Sequence, residues 1–127
     1  MFLEKGRALP PDKVGALHTS SNSRLVAESV ELAITSATRR RGLLGRSGLA
    51  PGHAMVIAPS SSIHTWFMQF PIDVIFVKRD GLVVKTRAAI PAWRMSFGWG
   101  AFAVVELAAG AIAQSGVKPG DRLDLIF

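Results

Sequence analysis

The sequence contains no cysteine, and this absence excludes disulfide bonds and thiolate zinc sites. It also removes the cysteine thiolate from the nucleophiles available for catalysis. It does not identify the compartment, because cytosolic and periplasmic proteins can both lack cysteine. A chain of 127 residues, of which 49% are hydrophobic, can still bury one hydrophobic core without a disulfide cross-link.

Long apolar runs are also missing. No segment approaches the roughly 18 apolar residues of a membrane-spanning helix, so we expect no transmembrane segment. The N-terminal stretch MFLEKGRALPPDKVG has no continuous apolar segment and does not resemble a signal peptide. We therefore expect a soluble protein, cytoplasmic unless an upstream export signal was removed, in which case periplasmic.

The common enzyme signatures are absent as well. The sequence has no G-x-S-x-G elbow, no H-E-x-x-H pair and no glycine-rich phosphate loop, and it has only three histidines. A metal set made of His64, Asp73 and Glu106 lacks any short ligand spacing. We therefore predict no metal and no cofactor.

Acidic residues are scarce relative to basic ones. The sequence has nine acidic and fifteen basic residues, which gives a net charge of +6 and favours anionic partners. The one basic cluster, Arg39-Arg40-Arg41, is either a solvated helix face or part of an anion site. No RNP-type motif accompanies the charge, so we expect no specific nucleic-acid binding.

The pattern of short apolar segments predicts one domain. Residues 1–22 have linker chemistry and are expected to form a flexible arm, followed by a single globular domain over residues 23–127. Strands outnumber helices, which favours a mainly β (α+β) fold. We expect a small barrel-like or sandwich domain of short, mostly antiparallel strands with one or two short helices.

Individual elements follow from periodicity and turn residues. Residues 25–35 predict a strand or hairpin, and a short helix follows with Ser36 as N-cap and Gly45 or Gly48 at its end. Alternating residues predict a strand over Ile63–Gln69 with His64, Trp66 and Met68 on one face. Ile72–Val77 and Leu82–Arg87 should pair through Asp80-Gly81. Residues 91–102 predict an irregular aromatic loop. The remaining predicted elements are strands at 53–58, in AVVEL and at 122–127, and a short helix within 108–117.

Several motifs occur together in a fixed order. They are R-x-x-G-L-L-x-R at 39–46, IHTWFM at 63–68, FPIDVIFV at 70–77, DGLVV at 80–84, VVELAAG at 104–110 and GVKPGD at 116–121. As a set they resemble the uncharacterised bacterial and archaeal family called domain of unknown function 192, over about residues 25–127. The chain is similar to the branch with IHTxFM before PID, although Leu44 stands where methionine is common.

The resemblance implies a compact, mainly β, barrel-like domain. It also implies that many relatives are exported with a signal or lipid anchor, which this chain does not show. It brings no activity and no catalytic role. The positions that match the family's motifs are Arg39, Gly42, Arg46, His64, Met68, Pro71, Asp73, Glu106, Gly110, Gly120 and Asp121.

Asp73 raises the clearest chemical question, because an unpaired carboxylate inside an apolar strand is expensive to bury. One interpretation is structural: Asp73 accepts backbone N–H groups near Pro71 or pairs with Arg39 or Arg46, close to His64. The other is functional, with Asp73 and His64 forming an acid/base pair at a site. His64 itself is otherwise a satisfied histidine bonded to a backbone carbonyl.

Glu106 and the tryptophans have similar alternatives. Glu106 either caps the turn after Ala108, binds an arginine or lines a site. Trp93 and Trp99 are either core lids or a stacking or partner surface. The predicted ligand-binding residues are Arg39, Arg46, His64, Trp66, Asp73, Trp93, Trp99 and Glu106.

Two functions from different classes follow. The first is a non-catalytic binding module for a small anionic or sugar-like ligand, or for a protein partner, near the loop at 91–102. The alternative is a small hydrolase-like enzyme with His64 and Asp73 as catalytic candidates.

Overall fold

The computed structural model describes residues 15–126, which form nine strands and two short helices. The strands are β1 (Gly15–Thr19), β2 (Leu25–Ala33), β3 (His53–Ile57), β4 (Ser62–His64), β5 (Ile72–Val77), β6 (Val83–Ile90), β7 (Met95–Phe97), β8 (Ala103–Ala108) and β9 (Leu123–Ile126). The helices are α1 (Ser36–Arg41) and α2 (Ala111–Ser115). The mainly β prediction is confirmed.

Seven strands form one mixed sheet in the order β6-β5-β8-β3-β2-β1-β9, and β4 pairs with β7 separately. All neighbours are antiparallel except β2 and β3. The two edge strands meet only near an isolated bridge between Leu82 and Arg122. The sheet is therefore not closed into a barrel, which corrects the barrel-like prediction.

The strands with the clearest period-two pattern form as predicted. β5 and β6 pair as an antiparallel hairpin, with Ile75 opposite Thr86, and the turn contains Asp80-Gly81. The Asp80 Oδ1 accepts a hydrogen bond from the Leu82 N–H at 3.0 Å, as an aspartate in a tight turn does. Residues 25–33 form one strand, not a hairpin.

Helix α1 begins one residue earlier and ends sooner than the sequence predicts. Thr35, not Ser36, is the N-cap, and its hydroxyl accepts the Thr38 N–H while the Thr38 hydroxyl accepts the Thr35 N–H. Gly42 ends the helix with a positive φ of 48°. Gly42 was predicted inside the helix, but its conformation is one that other residues rarely adopt.

The two faces of the sheet carry separate apolar clusters. On one face, both edge regions contribute to a cluster that includes Leu17, Val83 and Leu123, and α2 packs against it. On the other face, a cluster that includes Met55, Val74 and Phe76 lies beneath the segment that follows α1 and the β4–β7 ribbon. Because both faces of β5 are covered, all six of its residues are buried.

The predicted flexible arm does not extend to residue 22. Gly15–Thr19 forms β1, which lies between β2 and β9 and pairs with both. Leu17 is fully buried, so this strand contributes directly to the core. Residues 1–14, the rest of the predicted arm, lie outside the described residues.

The segment at 63–69 is a strand only at its start. β4 ends at His64, and Thr65 is fully buried with hydrogen bonds to the segment 91–94. Its hydroxyl donates to the Pro91 carbonyl oxygen at 2.6 Å and accepts the Arg94 N–H at 2.9 Å. The chain leaves the strand direction at Thr65, so the predicted strand over Ile63–Gln69 is wrong beyond His64.

No helix within residues 15–126 is long and apolar enough to cross a membrane.

Candidate functional site

A cleft of about 390 Å³ lies between α1 and the sheet, and we call it the α1 cleft. One wall is α1 with the turn after it, from Ser36 to Leu44. The opposite wall is the segment Pro59–His64 together with Met68. Ile57 of β3 and Glu106 of β8 contribute from the sheet. Polar and apolar groups therefore meet in one concave space.

Three consecutive arginines line the α1 wall. Arg39 is bound to its own segment, because its Nη1 donates to the Ile34 carbonyl oxygen at 2.8 Å. Arg40 and Arg41 are exposed, and neither forms an ion pair with any acid within residues 15–126. The last turn of a short helix thus presents positive charge without a neutralising partner from the described chain.

Glu106 places a buried carboxyl at the sheet side of this cleft. Its residue is only 6% exposed, and it shares a face of the sheet with Met55 and Val74, which stand opposite it on the neighbouring strands. Burial raises the pKa of Glu106 to about 7, and the positive charge of Arg46 opposes this rise. The carboxyl therefore changes its charge near neutral pH.

Arg46 is bound to a second acid on the same face. Its guanidinium donates to both carboxylate oxygens of Glu31, at 2.7 and 3.2 Å. Glu31 stands opposite Met55 in β2, and Met55 stands opposite Glu106 in β8. The pairing of Arg46 with Glu31 explains why its charge only partly offsets the burial of Glu106.

His64 links the cleft to an aromatic surface. It lines the cleft, is exposed, and stands opposite Met95 in the β4–β7 ribbon. Its ring lies 4.8 Å from the Trp66 ring, centroid to centroid. The His64 side chain forms no hydrogen bond with a backbone carbonyl of residues 15–126, so the prediction of a satisfied histidine bonded to such a carbonyl is wrong.

Asp73 is fully buried on the opposite face of the sheet. Asp73 pairs with Leu107 while Val74 pairs with Glu106, so strand alternation directs Asp73 and Glu106 to opposite sides. Asp73 is not among the residues that line the α1 cleft. The sheet therefore separates Asp73 from His64, and the predicted acid/base pair does not form. For the same reason the metal set with Glu106 does not converge.

The oxygens of Asp73 bind three backbone N–H groups. Oδ1 accepts from Ala89 at 2.8 Å, and Oδ2 accepts from Gly110 at 3.1 Å and Ile112 at 2.9 Å. Gly110 is the N-cap of α2 and has no side chain of its own, so Asp73 caps this helix from a neighbouring strand. The prediction that Asp73 accepts backbone N–H groups is therefore confirmed. The alternative prediction, an ion pair with Arg39 or Arg46, is wrong, because both arginines bind other groups.

Six large apolar side chains of strand β7 and of the loops next to the β4–β7 ribbon are exposed, and we call them together the aromatic surface. It consists of Trp66, Phe67, Trp93, Met95, Phe97 and Trp99. Trp99 is 98% exposed and Trp93 58%, so neither is a core lid. The Phe67 and Trp93 rings pack edge to face with centroids 4.7 Å apart.

The structure thus divides the predicted site residues into three groups. Arg39, His64 and Glu106 line the α1 cleft, and Arg46 acts on Glu106 through its charge. The three tryptophans belong to the aromatic surface. Asp73 is structural. The predicted ligand-binding residues did not include Arg40 and Arg41, although one interpretation of the sequence made their cluster part of an anion site.

The chemistry of the cleft follows from these groups. Two guanidinium groups without acidic partners in the described chain suit the recognition of a carboxylate, sulfate or phosphate. A carboxyl with a pKa near 7 can donate a proton below that pH and repel an anion above it. The cleft can therefore bind an anion in a pH-dependent way.

Comparisons with known proteins agree with the fold. The family model of domain of unknown function 192, described as uncharacterized ACR, matches residues 17–125. No curated protein matches the chain. A structure from Sinorhizobium meliloti 1021, described as a suggested transcription regulator, is 24% identical with a TM-score of 0.80, and the match covers 93% of this chain and 98% of that one. A protein of unknown function from Novosphingobium aromaticivorans is 26% identical with a TM-score of 0.73, and the match covers 87% and 83%.

Proposed function

The chain belongs to domain of unknown function 192, and for this member we propose a non-catalytic role as a binding protein for a small anionic ligand. The ligand is held in the α1 cleft. The observation that supports this role is that Arg40, Arg41 and the buried Glu106 carboxyl line the same space of about 390 Å³. A cleft of this size with few polar groups is typical of small-molecule sites.

The two kinds of group have different tasks. Guanidinium groups hold an anion through charge-assisted hydrogen bonds, with a planar geometry that matches its oxygens. Glu106 sets the pH range, because its neutral form donates a hydrogen bond and its ionised form repels the ligand. Since its pKa is about 7, binding should strengthen as the pH falls through that value.

Sulfate is a suitable probe, because its charge stays constant across this pH range. We expect titration calorimetry to show tighter sulfate binding at about pH 6 than at about pH 8, on the two sides of the Glu106 pKa. Glu106→Gln should remove most of this difference. Arg40→Ala or Arg41→Ala should weaken binding about tenfold at either pH, as the loss of a hydrogen bond to a charged group does.

Arg122→Ala is the matched control, because it removes the same charge outside the cleft. Arg122 pairs with Asp80 at 3.0 Å in the hairpin region. Its loss should leave sulfate binding unchanged. Equal weakening in Arg122→Ala and Arg40→Ala would show only a general attraction of the basic chain for anions, and the proposal would fail.

This proposal moves the site predicted near residues 91–102 into the neighbouring cleft. His64 belongs to the cleft and contacts Trp66 of the aromatic surface, so the two regions adjoin. A sugar-like ligand gains less from the arginines than an anion does, because it carries no charge for them to bind. The anionic ligand is therefore the better match to the geometry.

A second candidate is a small hydrolase in which Glu106 takes the role first assigned to Asp73. A carboxyl with a pKa of about 7 suits general acid–base catalysis, and His64 lines the same cleft. Hydrolysis of p-nitrophenyl acetate and p-nitrophenyl phosphate tests it. An enzyme should lose about a hundredfold in rate in Glu106→Gln. Wild-type protein without turnover above the buffer rate contradicts this candidate.

A further inference from the structure

We propose that the aromatic surface is a docking site for an anionic lipid bilayer, onto which the protein binds peripherally. Six large apolar side chains are exposed together here, with Trp99 at 98%, Phe67 at 71% and Phe97 at 60%. Soluble proteins rarely expose such side chains as a contiguous patch unless the patch binds a partner or a membrane. The α1 cleft does not explain these side chains, because none of the six lines it.

Two of these aromatics are held outward by unusual backbone conformations. Phe67 has a φ of 62° and Trp93 a φ of 66°, values in the left-handed region that bulky residues seldom adopt. Both side chains are more than half exposed, so burial in the core does not offset the strain. Strain of this kind concentrates at functional sites, where the surrounding structure maintains it.

Three basic side chains lie beside the surface, each bound to the segment 93–97. Lys85 Nζ donates to the Phe97 carbonyl oxygen at 2.7 Å, Arg87 Nη1 to the Ser96 hydroxyl at 3.4 Å, and Arg94 Nη1 to the Trp93 carbonyl oxygen at 3.4 Å. These acceptors are neutral, and no acid within residues 15–126 pairs with the three bases. The sequence has no acidic residue between positions 32 and 72 or between 81 and 105.

This combination fits an anionic membrane surface. Tryptophan and phenylalanine bind at the headgroup boundary of a bilayer, where an apolar ring meets a polar layer. Lysine and arginine beside them gain from the negative potential of anionic lipids. A second copy of the chain fits poorly, because a symmetric contact would place the same bases against one another.

Single-stranded nucleic acid is the other anionic polymer that binds aromatics and bases, but it needs free ring faces for stacking. Here Phe67 and Trp93 are packed edge to face, and Trp66 lies against His64 with centroids 4.8 Å apart. Met95 has no ring at all. The surface therefore offers apolar volume more than stacking platforms, which favours lipid.

The chain supplies its own reporter for this interaction. Its three tryptophans, Trp66, Trp93 and Trp99, all lie on the aromatic surface, and the sequence has no tyrosine. Tryptophan emission should therefore shift to shorter wavelength when vesicles of equal parts phosphatidylcholine and phosphatidylglycerol are added. Vesicles of phosphatidylcholine alone should bind about tenfold or more weakly, because three bases lose their attraction.

Three variants locate the contact. Trp99→Ala removes a side chain that is 98% exposed, so it should not affect folding, and it should weaken vesicle binding about fivefold or more. Arg94→Glu should weaken it at least as much, because it reverses a charge beside the surface. Ile126→Ala, at an exposed apolar residue of β9, is the control and should bind as the wild type does.

Co-sedimentation measures the same affinities independently of fluorescence. Three results would each overturn the proposal. They are no emission shift with anionic vesicles, equal binding by Trp99→Ala and the wild type, and tighter binding to an oligothymidylate than to the vesicles at physiological salt. The last result would assign the surface to single-stranded nucleic acid instead. Because these variants lie outside the α1 cleft, sulfate binding should persist in all of them.

Discussion

The Glu106 carboxyl should control how stability depends on pH. Its pKa in the folded protein is about 7, above the ordinary value of 4.5. As the pH rises, the unfolded state therefore loses this proton at a lower pH than the folded state does. The stability from this protonation is complete below about pH 4.5 and is lost as the pH rises through about 7. The shift corresponds to a difference on the order of 3 kcal/mol between the free energies of unfolding at low and at high pH.

Urea unfolding of wild type and Glu106→Gln between about pH 5 and pH 8 tests this expectation. The wild type should lose stability across the range, and the glutamine variant, which cannot ionise, should lose much less. Asp80 does not interfere, because the hydrogen bond from the Leu82 N–H holds the pKa of Asp80 below its usual value. Parallel curves for the two proteins would contradict the burial of a titrating carboxyl.

Asp73 should be a stability residue without any role in ligand binding. Asp73→Ala leaves the N–H groups of Ala89, Gly110 and Ile112 without their acceptor. A hydrogen bond to a charged group contributes about 1.5–3 kcal/mol, and three are lost together, so we expect a loss of about 3–5 kcal/mol in denaturant unfolding. Asp124→Ala is the control, since Asp124 accepts from the exposed Ser20 hydroxyl, and it should cost under about 1 kcal/mol.

The partner of Asp73 can be checked by a double-mutant cycle. Arg39 donates to the Ile34 carbonyl oxygen and not to Asp73, so the losses of Asp73→Ala and Arg39→Ala should be additive. A coupling energy of more than about 1 kcal/mol would revive the ion pair that the sequence predicted. Sulfate affinity should be unchanged in Asp73→Ala that remains folded, because the sheet lies between Asp73 and the cleft.

These two acids show what a sequence conveys about single residues. Both Asp73 and Glu106 are lone acids in apolar strands, and from the sequence both required a partner. Their roles differ because Asp73 points to the face where α2 begins, while Glu106 points to the face where α1 leaves a cleft. The pairing of Val74 with Glu106 decides this, and strand pairing between distant segments is not visible in local patterns.

At the scale of elements, Gly98 holds the aromatic loop against the sheet. It is buried, its N–H donates to the Ser61 carbonyl oxygen at 2.8 Å, and a Cβ added there would lie 2.5 Å from Cδ1 and 2.6 Å from Cβ of Phe76. Phe76 is fully buried in β5 and cannot move away freely. Gly98→Ala should therefore cost about 1–3 kcal/mol, the usual cost of overpacking.

Gly48→Ala is the matched control for this substitution. A Cβ at Gly48 meets nothing within 4 Å, and its φ is not in the left-handed region. Thermal unfolding should therefore show a marked loss for Gly98→Ala and almost none for Gly48→Ala. Equal effects would mean that the loop does not depend on close contact with Phe76.

Element prediction succeeded where local pattern and local structure coincide. The alternation around Asp80-Gly81 predicted the β5–β6 hairpin, and the turn residues lie next to each other in sequence. The segment at 63–69 alternates equally well, yet the hydrogen bond from Thr65 to Pro91 turns it into a loop. That bond joins residues 26 positions apart, so no local pattern contains it.

At the scale of the whole molecule, the sheet separates a face that stabilises the fold from a face that carries the proposed binding sites. The face with Asp73 and α2 is closed by hydrogen bonds and apolar packing. The other face adjoins the α1 cleft and, beside it, the aromatic surface. The proposed anion site and the proposed membrane surface therefore adjoin on one side of the protein, and His64 joins them.

The order of the strands was not predictable from the sequence, because it depends on pairing between the two ends of the described chain. β1 and β9 are adjacent, with Ala16 opposite Ile126. The sequence placed the first of these segments in a flexible arm, since its turn-like residues indicate a linker when they are considered alone. Residues 15–19 form a strand because both β2 and β9 pair with them, and β9 comes from the other end of the described chain.

Leu123 should therefore support both edges of the sheet at once. It is fully buried in β9, stands opposite Thr19 of β1, and its N–H donates to the Gly81 carbonyl oxygen at 2.9 Å beside β6. Leu123→Ala should lower the free energy of unfolding by about 2–5 kcal/mol, the range for truncating a buried leucine. Ile126 is 54% exposed in the same strand, so Ile126→Ala should cost under about 1 kcal/mol.

Amide hydrogen exchange distinguishes a global from a local effect, because loss of β9 packing should reduce protection in both β1 and the start of β6. Reduced protection in β9 alone would show that the edges are held independently, and the bridge between Leu82 and Arg122 would then be incidental to the stability of the sheet.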